Sequence, residues 1–265
     1  MVPGMTGPLW LVGCGNMGGA MLRRWIGAGI DPATMTVIDP GIPQVPEGVR
    51  VVALPPIETP ATIVLAVKPQ QIDSVAPLLT NAYPQLLLSI LAGVEIATLA
   101  ARVPAGTVVR AMPNLPVAIG KGVVALHGEA DAEIRAAAEA LMAPLGLVEW
   151  IDSEALFDAV TALSGCGPGF VFRFIDALAE AGAALGLPAD QAARLALATV
   201  EGSASMAAEA DVSPATLADR VASPGGSTRE GLNVLDRDGA LNRLLLDTLR
   251  AAEARNKAMA AAARG

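Results

Sequence analysis

Three glycines set between a strand and a helix constrain this chain more than any other feature. Residues 9–25 read LWLVGCGNMGGAMLRRW. Leu9–Val12 form a short apolar strand, and Met21, Leu22 and Trp25 recur at helical spacing. Gly13-x-Gly15-x-x-Gly18 therefore occupies the turn between strand and helix, the context that a dinucleotide-binding fingerprint requires. Gly13 permits the tight turn, Gly15 lets a pyrophosphate approach the backbone, and Gly18 lets the helix lie close to the strand. An acidic residue follows at the matching distance. Met35–Asp39 reads as a second strand, and Asp39 ends it where a carboxylate accepts from an adenosine 2′-hydroxyl.

The pattern around this motif extends it into a domain. Short aliphatic runs at Leu9–Val12, Thr36–Asp39, Val49–Val52, Thr62–Val67, Leu86–Ile90, Val108–Ala111, Gly122–Leu126 and Leu147–Ile151 alternate with helical stretches, the clearest being Met17–Ala28 and Ala130–Ala143. Continuous rather than alternating hydrophobicity is the mark of parallel strands covered on both faces. After Asp152 no further strand is legible. Helices are expected from Pro168 to Leu185, from Pro188 to about Ala210, after Ser213-Pro214, and from Thr228 and Ala240. The expected fold is α/β, with a Rossmann-type doubly wound sheet over 1–152. An all-helical domain over 153–265 would serve dimerisation and substrate binding.

That helical half holds a second glycine-rich loop. Residues 222–236 read ASPGGSTREGLNVLD, in which Pro224, Gly225 and Gly226 precede a helical pattern that starts at Thr228. A glycine loop that opens a helix presents free N–H groups at the positive end of the helix dipole, which is an anion site. Ser223, Ser227 and Thr228 add hydroxyl donors. The nucleotide loop lies elsewhere, so the simplest tenant is a small carboxylate.

Composition removes several classes. A net charge of −8 and no basic stripe argue against a nucleic-acid surface. Two cysteines make no disulfide framework, and with a single histidine no metal cluster is expected. No basic segment precedes an apolar run at the N-terminus, so no signal peptide is expected and the reading is cytoplasmic. The uncharged run Ser74–Val94 is broken by Pro77, Asn81, Pro84 and Gln85, which reads as helix, turn and buried strand rather than a membrane span. Phe170, Phe172, Phe174, Leu178, Leu185, Leu187, Leu195 and Leu197 give the second half more apolar surface than one small core absorbs. Ala179, Gly182, Ala183 and Gly186 would let another helix approach closely, so a second copy of the chain is the expected partner.

With both loops in hand, the chain resembles the pyrroline-5-carboxylate reductase family over nearly its whole length. The likeness rests on GCGNMGGAM at 13–21, AVKPQ at 66–70, RAMPNLPVAIGKG at 110–122, LSGCGPGFVF at 163–172 and SPGGSTREGL at 223–232. The resemblance implies NAD(P)H-dependent reduction of 1-pyrroline-5-carboxylate to proline by a homodimer or a larger assembly of dimers. It implies that Gly13, Cys14, Gly15, Asn16, Met17 and Gly18 hold the cofactor pyrophosphate. Ala66, Val67, Lys68 and Pro69, together with Ala92 and Gly93, would line its ribose and nicotinamide side, with Asn114 near the nicotinamide. Ser223, Gly225, Gly226, Ser227 and Thr228 would receive the substrate carboxylate, with Thr228 closest to the ring nitrogen and the catalytic candidate.

Three departures qualify that picture. Where the family usually has a Ser-Gly-Ser-Gly-Pro-Ala-Tyr type run, this chain has Cys166, Gly169 and Phe170. The stretch Ala53–Ile57 lacks a polar residue that some members place beneath the adenine ribose. Many members carry hydroxyl or basic residues after the second strand, whereas this one carries Asp39, with Arg50 the next arginine. A carboxylate there would repel the 2′-phosphate of NADPH, so NADH is the favoured cofactor. Reduction of a six-membered cyclic imine, a nicotinamide-sensing regulatory protein and a purely structural dimerisation module are the competing readings. The intact Ser223–Thr228 loop weighs against the last two.

Overall fold

The computed structural model describes residues 7–264. Among them, β1 (Leu9–Val12), β2 (Met35–Ile38), β3 (Arg50–Val52), β4 (Thr62–Leu65), β5 (Leu86–Ser89), β6 (Thr107–Pro113), β7 (Gly122–His127) and β8 (Gly146–Trp150) form one sheet in the order β3-β2-β1-β4-β5-β6-β7-β8. The strand order reverses between β1 and β4, and ligands of open α/β sheets bind at the carboxyl ends of strands at such a point. The sheet is parallel from β3 to β6, and β7 then runs antiparallel to β6. The expected parallel, doubly wound sheet is thus present with one antiparallel pair. The link from β6 to β7 is a single 3₁₀ turn, Leu115–Ile119, too short for the crossover of a dozen or more residues that a parallel return needs. The strand β8 is again parallel to β7.

Alternate side chains of β1, β2, β4 and β5 enter two cores. Leu9, Leu11, Val37 and Val64 pack under α1 (Asn16–Gly27) with its buried Met21, Leu22 and Trp25. Trp10, Val12, Ile63 and Leu65 pack on the other face, against Ile72 of α2 (Ile72–Val75) and Leu99 of α3 (Ile96–Arg102). Both faces are covered, which is why the strands read as unbroken apolar runs. The helix α4 (Ala132–Met142) joins the first core, and its Leu141 carbonyl accepts from the Trp25 indole at 2.8 Å.

The remaining helices are α5 (Phe157–Val160), continued by a π-helical turn at Thr161–Gly165, then α6 (Gly167–Ala184), α7 (Ala189–Glu209), α8 (Pro214–Arg220), α9 (Ser227–Asp236) and α10 (Ala240–Arg264). Packing divides the chain into two compact units. One runs up to Cys166 and takes the chain back from Ala252, and the other is Gly167–Ala251. In sequence the change of character falls at Asp152, where the strands end. Residues 153–166 nevertheless pack with the sheet, through buried Phe157 and a 2.8 Å ion pair from Arg110 to Glu154. The end of α10 joins them, where the Asn256 amide donates to the Asp158 carbonyl at 3.2 Å.

In the helical unit, Gly182 of α6 lets Ala192 of α7 approach, a Cβ built on it lying 3.4 Å from the Ala192 Cβ. Phe172, Phe174, Leu178, Leu185, Leu187, Leu195 and Leu197 all remain exposed on the single chain. The run Glu154–Ala184 is long and apolar enough to cross a membrane by length and composition alone. The run Ser74–Val94 is instead divided among α2, a 3₁₀ turn, β5 and the loop after it.

Candidate active site

The turn after β1 does what its glycines allow. Gly13 sits at φ +90°, and a Cβ there would meet the Ala66 carbonyl oxygen at 2.8 Å. A Cβ on Gly18 would lie 2.5 Å from the Gly13 oxygen, so the helix can pack this close only with glycine. Gly15 differs from both. It is exposed, its φ is −72°, and a Cβ there would meet nothing within 4 Å. Neither backbone conformation nor packing demands glycine at this position. Gly15 is the N-cap of α1, no side chain caps the helix, and the space before it is open. Asn16 is exposed beside it, and Met17 is half-buried against the first core.

A cleft of about 370 Å³ opens along the carboxyl ends of β1, β2 and β4. Gly13, Gly15, Asp39, Ala66, Val67 and Lys68 all line it, so the structure brings these expected cofactor residues to one place. Ala53, Leu54 and Pro55 supply an apolar wall, and Gln71 and Ser74 add polar atoms that no sequence motif singles out. The Gln71 side chain holds the turn after β4 by accepting from the Lys68 N–H at 3.0 Å, while Pro69 opens that turn. Asp39 is committed on both oxygens. Oδ1 accepts from the Gly41 N–H at 2.8 Å, the turn role its Asp-Pro-Gly context foretells, and Oδ2 accepts from the Cys14 N–H at 2.8 Å. The second bond ties the glycine loop to the end of β2.

The other expected residues lie outside this cleft. Ala92 packs against the cluster of Met112, Ala125 and Phe157. Gly93 has φ +74°, and the Ala260 backbone of α10 stands 3.3 Å from where its Cβ would be. Asn114 is buried, and both ends of its amide are engaged: Oδ1 accepts from Val123 N–H at 2.8 Å and Nδ2 donates to the Ser164 carbonyl at 2.9 Å.

In the helical unit, Ser223–Gly226 form a type II turn, with Pro224 at its second position, Gly225 at φ +72°, and Gly226 N–H donating to the Ser223 carbonyl at 3.0 Å. Gly226 is the N-cap of α9, and no side chain caps that helix. A Cβ on Gly226 would strike the Ser223 hydroxyl at 2.6 Å, so glycine here lets that hydroxyl sit at the helix start. Ser227 and Thr228 follow, exposed, on the first turn. An ion pair of 2.8 Å from Arg229 to Asp219 fastens α9 to α8. Two hydroxyls on the first turn and a third beside it thus stand at the positive end of the α9 dipole, the end of a helix at which anions are stabilised.

Comparison with known proteins gives both halves a family. Residues 154–259 match a family model described as pyrroline-5-carboxylate reductase dimerisation, and residues 9–93 match one described as NADP oxidoreductase, coenzyme F420-dependent. The pyrroline-5-carboxylate reductase of Pseudomonas aeruginosa is 35% identical, over 94% of this chain and 95% of that protein. The chain belongs to the pyrroline-5-carboxylate reductase family. A solved member from Coxiella burnetii superposes with a TM-score of 0.84 at 31% identity, covering 96% of this chain and 98% of that one. The Plasmodium falciparum member, solved with NADP bound, gives 0.78 at 27% identity over 96% and 98% of the two chains.

Within this family frame the cysteines and the histidine take ordinary roles. Burial, and then the Asp39 carboxylate, push the Cys14 thiol above its usual range, against a smaller opposing effect of Arg23. Cys14 also packs against the first core. Cys166 ends the π-helical turn, its N–H donating to the Thr161 carbonyl at 2.9 Å. The His127 ring bonds the Ile151 carbonyl at 2.6 Å. Phe170 is half-buried on α6.

Proposed function

We propose that this chain reduces 1-pyrroline-5-carboxylate to proline, the last step of proline biosynthesis, with Thr228 at the substrate and Gly13–Gly18 at the cofactor. The observation that carries this is the pairing, on one chain of this family, of two glycine-opened helix N-termini that no side chain caps. One borders a cleft suited to a dinucleotide, and the other suits a carboxylate. A reduced nicotinamide, when bound, supplies the hydride. Everything else falls to the chain. Its backbone N–H groups and the hydroxyls of Ser223, Ser227 and Thr228 hold the carboxylate and orient the ring. A protonated cyclic imine is already electrophilic at carbon, so no side-chain acid is needed, and none of the residues proposed here forms a proton-transfer dyad. The test is cofactor oxidation that depends on pyrroline-5-carboxylate, compared with its six-membered homologue, which should react more slowly.

Asp39 favours NADH. Its carboxylate lines the cleft beside the loop that it ties, and the 2′-phosphate of NADPH would add a like charge there. We expect a higher kcat/KM with NADH than with NADPH, and Asp39→Ser to move the ratio toward NADPH. Because Oδ2 also braces the Cys14 N–H, the same substitution should weaken both cofactors. A wild type that prefers NADPH, or an unmoved ratio, makes Asp39 a turn and loop brace only.

We read 153–265 as the functional dimerisation and substrate region, in a cytoplasmic homodimer or larger assembly of dimers. The exposed Phe172, Phe174, Leu195 and Leu197 lie within the stretch matched by the dimerisation model, which favours a second copy over lipid as what covers them. Light scattering across a dilution series should find no folded monomer at micromolar concentration. A stable 26.8 kDa species with full activity contradicts this reading.

A further inference from the structure

One side chain of β6 and one just past its end hold the segment that leads from the sheet into the long helices. Arg110, buried in mid-strand, donates to Glu154 Oε1 at 2.8 Å, and the same oxygen accepts from the Ile96 N–H at 2.8 Å. The Arg110 guanidinium also lies 4.4 Å above the Phe157 ring. Four residues on, where β6 ends, Asn114 takes the far end of the segment through the Ser164 carbonyl at 2.9 Å. Between these two clamps the helix widens into the π-helical turn Thr161–Gly165.

The turn needs an outside donor for a reason that is visible in the sequence. In a regular α-helix the Ser164 carbonyl would accept from the N–H of residue 168, and Pro168 has none. The Asn114 amide supplies the missing donor. Inside the turn the hydroxyls take two more carbonyls, Thr161 Oγ1 donating to Phe157 at 2.7 Å and Ser164 Oγ to Val160 at 2.9 Å. Turns of this π type are frequent at functional sites. This one packs on the end of β6, where a Cβ on Gly165 would lie 4.0 Å from Met112 Cγ. That end belongs to the carboxyl edge of the sheet, where α/β folds keep their ligands.

We propose that Asn114 is a positioning residue for the reduction rather than a cofactor contact: its amide fixes the π-helical turn Thr161–Gly165, which shapes the reacting end of the site. The inference rests on the function proposed above. Its burial and its two filled hydrogen bonds leave Asn114 poorly placed to touch a ligand directly, and the turn transmits its effect.

Asn114→Asp tests this selectively. It keeps an oxygen for the Val123 N–H, removes the donor to Ser164, and sets a carboxylate oxygen against that carbonyl. We expect kcat with pyrroline-5-carboxylate to fall about 10- to 100-fold, the scale of a misplacement of about 1 Å imposed from outside the reacting centre. The dissociation constant of the reduced cofactor, titrated by its own fluorescence, should stay within about two-fold, and the oligomeric state should not change. A folded variant with wild-type kcat overturns the proposal, because the turn then has only a structural role. Cofactor affinity falling in step with kcat also overturns it, because Asn114 then acts on the cofactor. If Asn114→Asp does not fold, Thr161→Val loosens the same turn from its start. The same split in smaller measure is then expected, and unchanged kcat overturns the proposal. Wild-type turnover is measured first, so failure of the functional reading shows in the wild type and failure of the Asn114 role only in the variants.

Discussion

Gly15→Ala should leave the fold intact and weaken the dinucleotide about 100-fold, whereas Gly18→Ala should destabilise the fold itself. The two glycines stand three residues apart in one motif, yet their surroundings differ. A Cβ at Gly15 meets no protein atom within 4 Å, and its φ of −72° suits alanine. Alanine there restricts the unfolded chain, so stability should stay level or rise by about 0.4–1 kcal/mol. The methyl group instead intrudes where a pyrophosphate would meet the helix N-terminus, and a 100-fold loss corresponds to about 2.7 kcal/mol. At Gly18 the added carbon lies 2.5 Å from the Gly13 oxygen, and α1 must move off β1. Overpacking of this kind costs about 1–3 kcal/mol, which for a chain of this size lowers Tm by several degrees. Thermal melts and cofactor fluorescence titrations of both variants check the contrast. A Gly15→Ala protein that binds reduced cofactor like the wild type removes the nucleotide from this loop.

Thr228→Ala should lower kcat/KM for pyrroline-5-carboxylate by about 5- to 150-fold, or roughly 1–3 kcal/mol of transition-state stabilisation, the scale of a lost buried hydrogen bond. Thr228 is exposed on the first turn of α9 and takes no part in the Arg229–Asp219 ion pair that fastens the helix. Folding and NADH binding should therefore barely change. Ser223→Ala should act in the same direction but more mildly, since its hydroxyl reaches the helix start from the preceding turn. Steady-state kinetics with each variant decide the matter, and wild-type turnover by Thr228→Ala excludes that residue from the site.

Much of this architecture is legible in the sequence because it is local. The β1–turn–α1 unit is written in glycine spacing, and each strand of the sheet is a short apolar run bounded by turn residues. The Ser223–Gly226 turn follows from Pro224 and Gly225 alone. What escapes a sequence reading depends on pairing across distance. The reversal of β7 follows from the length of a connection, not from any property of the strand. Asp39 announces itself as a turn former and ribose partner, but its bond to the Cys14 N–H joins two loops 25 positions apart. The family resemblance puts Asn114 near the nicotinamide, but its bond to the Ser164 carbonyl, 50 positions away, leaves no mark in the local sequence. The nearest sequence signal was Pro168, whose missing N–H calls for a donor from elsewhere. The return of α10 to the sheet unit left only one trace in advance, a glycine at position 93 where the Ala260 backbone comes close.

If hydride passes to the imine carbon of a five-membered ring on this chain, an isotope carried by the cofactor must follow it there. The purified protein would be given 1-pyrroline-5-carboxylate and NADH deuterated at the transferring position, and the proline formed would be analysed for label. The account predicts proline carrying one deuterium on the ring carbon that was the imine carbon, in step with cofactor oxidation. Cofactor oxidation without labelled proline, or no proline at all from folded protein, would contradict it.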